Sequence, residues 1–109
     1  MRLDAVVRNA IVAPENQVLV SSATAWELAI KQAQGRLEFP LERFEATMRD
    51  MGFDILPILP AHAIAAGALP RHHGDPFDRM LIAQARVENL VLVTQDSAFS
   101  RYDVSLMAP

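Results

Sequence analysis

The sequence has no cysteine, only four glycines and few aromatic side chains among its 109 residues. Without cysteine there can be no disulfide bond, thiolate metal site or thiol nucleophile, which leaves carboxylate and imidazole chemistry. No apolar run approaches the roughly 18 residues that a membrane-spanning helix needs, and the first residues carry no secretion signal. We therefore expect a cytoplasmic protein without a membrane segment.

Excess positive charge is also lacking, since the formal net charge is -3. Such a chain has no overall attraction for nucleic acid, so a phosphate-bearing partner would need a local basic rim or a bound cation. The hydrophobic residues make up 51% of the chain and no segment is of low complexity, which indicates a folded core rather than disorder. The length favours one domain over residues 1–109.

Apolar strand-like runs alternate with helical patterns along the chain, which is typical of an α/β fold. Because the Val- and Leu-rich runs are nearly continuous, they favour a central parallel sheet with helices on both faces. The predicted strands are 17–21, 54–58, 90–94 and 104–107; the predicted helices are 3–12, 23–34, 41–51, 60–69, 76–88 and a short turn at 97–102. Ser21 or Ser22 is expected to cap the helix 23–34, and Gly35 is expected to end it.

Asp75 and Asp78 lie one helical turn apart where the helix 76–88 begins. Asp75 is a natural N-cap with Pro76 at the first helical position, and the positive end of the helix dipole favours Asp78. Taken alone, the spacing therefore fits two structural residues. It also fits a cap followed by a carboxylate that faces a metal ion.

Three carboxylates lie just after predicted strands or near the start of predicted helices. Glu27 is in the helix after the first strand, Asp78 is in the first turn of its helix, and Asp96 follows the strand 90–94. In parallel α/β sheets such positions gather at one edge, where ligands bind. Clustered carboxylates repel unless a cation intervenes, and hard oxygen ligands select Mg²⁺ or Mn²⁺. The sequence thus indicates a divalent-metal site able to act on a phosphodiester.

The same acidic residues also fit purely structural roles. Asp96 fits an Asx-turn or a helix cap, and Glu27 fits a solvated helix surface. The adjacent His72 and His73 would diverge in an extended segment and make a poor chelate. Trp26 is expected in the core and His62 on the surface.

Four segments of the sequence, residues 22–31, 35–40, 69–85 and 92–96, resemble in that order segments of the PIN-domain proteins of the VapC-like toxin type. The likeness covers nearly the whole chain. It implies a three-layer PIN fold and a Mg²⁺- or Mn²⁺-dependent ribonuclease. Such proteins are usually the toxin of a bacterial toxin–antitoxin pair, inhibited by a small antitoxin protein and often homodimeric.

The resemblance also implies roles for single residues. Glu27, Asp78 and Asp96 match acidic metal-binding and catalytic positions of the family. Thr94 matches a frequent hydroxyl beside the last acid, and Asp75 matches an acidic position that we interpret as supporting. Arg79 is a candidate contact for RNA phosphate or for the partner protein.

The chain departs from the family at its start, because the family's first strand and its metal-binding Asp have no counterpart. Asp4 follows only three residues, too few for that strand, and is expected to cap a helix. We expect either direct pairing of the strands 17–21 and 90–94, a strand from another chain, or an N-terminally truncated sequence, and favour the last. The alternative function is a catalytically impaired PIN-like module that binds an antitoxin-like partner.

Overall fold

The computed structural model describes residues 16–70, 74–93, 102 and 104–107. These residues belong to two compact units, one formed by Gln17–Ile58 and the other by Met1–Asn16 with Leu59–Pro109. The predicted helix 3–12 and most of the predicted turn 97–102 lie outside the described residues. The single domain over the whole chain stays a prediction.

The unit Gln17–Ile58 is a parallel strand pair with its connecting helices. Strand β1 (Val18–Ser21) leads directly into helix α1 (Ser22–Ala33), and helix α2 (Phe44–Asp50) follows a 3-10 turn before strand β2 (Phe53–Leu56). The two strands pair in parallel, from Val18 opposite Phe53 to Ser21 opposite Leu56. A crossover that contains helices is what parallel pairing requires.

Local sequence signals set both ends of α1. At its start the Ser21 hydroxyl accepts a hydrogen bond of 3.0 Å from the Ala23 amide, which satisfies one of the unpaired donors of the first turn. At its end Gly35 has a φ of 72°, and the amides of Gly35 and Arg36 donate to the carbonyls of Gln32 and Lys31. This is a Schellman ending, for which glycine is preferred because it has no Cβ to clash. Of the two serines predicted as possible caps, Ser21 is the cap, and the predicted helix end at Gly35 is confirmed.

The second unit contains helices α3 (Pro60–Ala68) and α4 (Pro76–Val87) and strands β3 (Leu92–Val93) and β4 (Leu106–Met107). The strands pair in parallel, with Leu92 opposite Leu106. The core of this unit lies between the helices and β3 and is made of Ala66, Leu69, Ile82, Ala83 and Tyr102. Each of these five residues is at most 9% exposed.

A polar cluster joins the start of α3 to the end of α4. His62 is fully buried, and its Nδ1 lies 3.0 Å from the Leu59 amide and 3.3 Å from the Gln84 side-chain amide. Its Nε2 lies 2.8 Å from Oε1 of Glu88. The expectation that His62 lies on the surface was therefore wrong, because its polar atoms find partners 22 and 26 residues further along the chain.

The contacts also fix the tautomer of His62. A backbone N–H can only donate, so Nδ1 must carry a lone pair towards Leu59. The ring proton then sits on Nε2 and is donated to the carboxylate of Glu88. The imidazole is neutral in this arrangement, and the pair is a hydrogen bond to a charged acceptor rather than an ion pair.

The α/β fold class, with parallel strands flanked by helices, is confirmed. The prediction for Trp26 was wrong, because its side chain is 58% exposed. A large aromatic residue is usually well buried, but its burial depends on which face of α1 is covered. Among the described residues, no helix has the length and apolar character needed to cross a membrane.

We predict that His62→Leu lowers the free energy of unfolding by about 1–3 kcal/mol, because the Leu59 amide and the Gln84 side chain lose a buried acceptor. Glu88→Gln should lower it by less than about 1 kcal/mol, since an amide oxygen still accepts from Nε2–H. Urea denaturation measures both values. Ring ¹⁵N shifts that place the proton on Nδ1, or a fully stable His62→Leu variant, would contradict this interpretation.

Candidate active site

Asp75 is the N-cap of α4, as predicted. Its Oδ1 accepts hydrogen bonds from the amides of Phe77 at 2.8 Å and Asp78 at 3.3 Å. Pro76 occupies the first helical position, where its missing N–H is no loss. The carboxylate of Asp75 therefore orders the turn that carries Asp78. The predicted cap is confirmed, whereas a supporting role of Asp75 in a metal site stays a prediction.

Asp78 continues a buried stripe of α4. Residues four and seven apart on a helix share a face, and the residues at these spacings after Asp78 are Ile82, which is fully buried, and Ala85, which is 4% exposed. Asp78 itself is half-buried. Asp78 therefore lies on the same side of α4 as these buried residues.

Arg79, the residue after Asp78, lies against the end of α3. Its Nη1 donates to the carbonyl of Pro70 at 3.0 Å, and its Nη2 donates to the carbonyls of Ala66 at 3.0 Å and Leu69 at 2.9 Å. The sequence did not reveal these contacts. The proposed contact of Arg79 with RNA phosphate stays a prediction.

Glu27 is half-buried in the second turn of α1. The chain enters α1 directly from β1, so Glu27 lies on the first helix beyond the carboxyl end of that strand. It belongs to the unit Gln17–Ile58, whereas Asp78 belongs to the other unit. Their convergence stays a prediction.

The two remaining predicted site residues, Thr94 and Asp96, lie outside the described residues, as do His72 and His73. Within the ranges that the structure describes, no three histidine or acidic side chains form a group that could hold a metal ion. That finding does not include Asp96, so the predicted set of three carboxylates is untested.

The donor set nevertheless fits a hard divalent cation. Glu27 and Asp78 offer carboxylate oxygens, which suit Mg²⁺ or Mn²⁺, and the absence of cysteine removes the ligands that favour zinc or copper. Oδ1 of Asp75 is engaged with two backbone amides. Asp78 is therefore the better metal-ligand candidate of the two carboxylates in this turn.

Together, the parallel strand pairs and flanking helices define an α/β protein, a class in which ligands commonly bind at the carboxyl edge of the strands. The PIN domain family model matches residues 2–105 of the chain. The chain therefore belongs to the PIN domain family. Comparison with curated proteins gives no significant match.

Membership of this family indicates nuclease activity in general terms. PIN domains generally depend on divalent metal ions, and PIN nucleases act on RNA. The matched range contains Glu27, Asp78 and Asp96. The roles of these three residues stay a prediction.

We predict that Asp75→Ala lowers the free energy of unfolding by about 1 kcal/mol, because the amides of Phe77 and Asp78 lose their acceptor. Asp75→Asn should cost less, since asparagine is also a good N-cap. Chemical denaturation followed by circular dichroism measures the difference.

The matched control is Asp50→Ala, at the exposed last residue of α2, where a negative charge opposes the helix dipole. This control should not destabilise the protein. An Asp75→Ala variant as stable as the control would remove the capping role.

Proposed function

We propose that the protein is a metal-dependent endoribonuclease that hydrolyses RNA phosphodiester bonds, and that it is the VapC-like toxin of a bacterial toxin–antitoxin pair. The observation that carries the proposal is the match to the PIN domain over residues 2–105. The matched range contains the three acidic residues that the sequence analysis selected. The proposed cellular location is the cytoplasm, and the proposed partners are RNA, a small antitoxin protein and a second copy of the chain.

The path of the chain after α4 supports a meeting of Asp78 and Asp96. Asn89 has a φ of 56°, and the Leu90 amide donates to the Ala85 carbonyl at 2.7 Å, so the helix ends in a tight reversal. Leu92 of β3 packs against the same core as Ile82 of α4. The proposal takes β3 to run back along α4 after this reversal, so that the chain beyond β3 heads towards the first turn of α4. The proposal places Asp96, which follows the segment of β3 in the sequence, near Asp78.

In the proposed site, Glu27, Asp78 and Asp96 hold Mg²⁺ or Mn²⁺ and Thr94 supports Asp96. The chemistry that such an ion supplies is activation of water and neutralisation of charge on the phosphodiester. The residues of the chain provide the negative oxygens and keep them in fixed directions. Asp75 does so for Asp78 by ordering the first turn of α4.

We predict that the purified protein cleaves single-stranded RNA with Mg²⁺ or Mn²⁺ and not with EDTA. Glu27→Gln, Asp78→Asn and Asp96→Asn should each reduce the rate about 100-fold or more, because a catalytic metal contributes several kcal/mol. The measurement is the cleavage rate of a labelled RNA under single-turnover conditions.

The control for this experiment is Asp50→Asn, which changes the same chemical group at an exposed position away from the proposed site. Its rate should equal that of the unchanged protein. Metal-dependent cleavage that survives Asp78→Asn would show that the site is assigned wrongly. A protein that neither binds Mn²⁺ nor cleaves RNA would favour the catalytically impaired, partner-binding module instead.

A further inference from the structure

The three carbonyls that Arg79 contacts lie at and just after the carboxyl end of α3. Ala66 belongs to the last turn of α3, Leu69 is its C-cap, and Pro70 follows. The last carbonyls of a helix lack the usual amide four residues on and carry its negative dipole end. Here the Ala66 carbonyl accepts a long hydrogen bond of 3.4 Å from the Leu69 amide. A cation there satisfies these acceptors and interacts favourably with the dipole. Arg79 therefore binds the end of α3 from a neighbouring helix.

The contact has a shape that only arginine provides. Both terminal nitrogens of the guanidinium take part, Nη1 with Pro70 and Nη2 with Ala66 and Leu69. A planar guanidinium donates in fixed directions, so several contacts at 2.9–3.0 Å define its orientation. A lysine ammonium keeps the charge but lacks this fork. The contact thus fixes direction as well as charge.

Fixing Arg79 also fixes the rotation of the first turn of α4. Adjacent residues on a helix point about 100° apart, so an Arg79 held on α3 turns Asp78 towards another side of α4. That side is the stripe that continues through Ile82. The cap at Asp75 holds the same turn from its other end. Asp78 therefore lies between two fixed residues: Asp75, three positions before it, and Arg79, one position after it.

We propose that Arg79 is a positioning residue for Asp78: its contacts with the end of α3 set the direction in which the Asp78 carboxylate enters the metal site. This inference rests on the proposed nuclease function. It differs from a contact with RNA phosphate, because it depends on the three N–H donors that bind backbone carbonyls.

The test compares Arg79→Lys with Arg86→Gln, which changes an exposed arginine of the same helix. In Arg79→Lys the kcat should fall about 10- to 100-fold, as for other residues that orient a metal ligand. The KM for RNA should stay unchanged, while the Mn²⁺ concentration for half-maximal activation should rise. Arg86→Gln should leave kcat and the Mn²⁺ requirement unchanged.

A second readout needs no metal and no activity. Amide hydrogen exchange in the metal-free Arg79→Lys variant should be faster at Phe77 and Asp78, whose amides bond to Asp75. Exchange at Ile82 and Ala83, in the buried middle of α4, should stay slow. Unchanged exchange at Phe77 and Asp78 together with full kcat would overturn the positioning role.

A measurement on the unchanged protein covers the case in which variants do not fold. The Nη1 and Nη2 protons of Arg79 should give separate, slowly exchanging signals, and adding RNA with blocked 2′-hydroxyls should leave them unchanged. Signals that shift on RNA addition, or an Arg79→Lys variant that changes KM and salt dependence alone, would make Arg79 a phosphate contact and overturn the proposal.

The outcomes for Arg79 and for the nuclease function are distinguishable. A protein without metal-dependent cleavage, or one whose cleavage survives Asp78→Asn, removes the function itself. Cleavage that needs Asp78 but is unaffected by Arg79→Lys keeps the function and removes only the positioning role.

Discussion

The packing of α3 on α4 is the constraint on which the second unit depends. Hydrogen bonds connect the two helices at both ends of this antiparallel pair. His62 bonds to Glu88 at one end, and Arg79 donates to the last carbonyls of α3 at the other. Hydrogen bonds to charged groups contribute about 1.5–3 kcal/mol each, and a buried group that loses its partner costs a similar amount. Alternative alignments of the two helices would leave these groups unsatisfied. The polar contacts therefore select one alignment, while the apolar core between the helices supplies cohesion.

This alignment connects the fold to the proposed chemistry. Asp75 orders the first turn of α4, Arg79 fixes its rotation, and Asp78 is presented from that turn on the side of the buried stripe. A carboxylate that must share a site with other acids benefits from a fixed direction, because repulsion would otherwise turn it towards solvent. The metal ion would then find oxygens already in place, as effective catalytic sites require.

The sequence revealed those features that depend on near neighbours. The cap at Asp75, the proline after it and the helix ending at Gly35 follow from residues within one turn, and all three are confirmed. The α/β class follows from the alternation of patterns along the chain. The burial of His62 and the contacts of Arg79 were not predictable, since they depend on which helix faces which. The prediction that Trp26 lies in the core was wrong for the same reason. The family resemblance was based on four segments of the sequence. The match to the PIN domain confirms the family, which is the general part of that resemblance.

The central claim is that Glu27, Asp78 and Asp96 share one divalent-metal site. Its most direct test is paramagnetic broadening of assigned amide signals by substoichiometric Mn²⁺, because the effect falls steeply with distance from the ion. The account predicts that signals around all three residues broaden together and that Asp78→Asn weakens the effect at Glu27 and Asp96 as well. Broadening that is confined to one of the three residues, or that is absent from all of them, would contradict it.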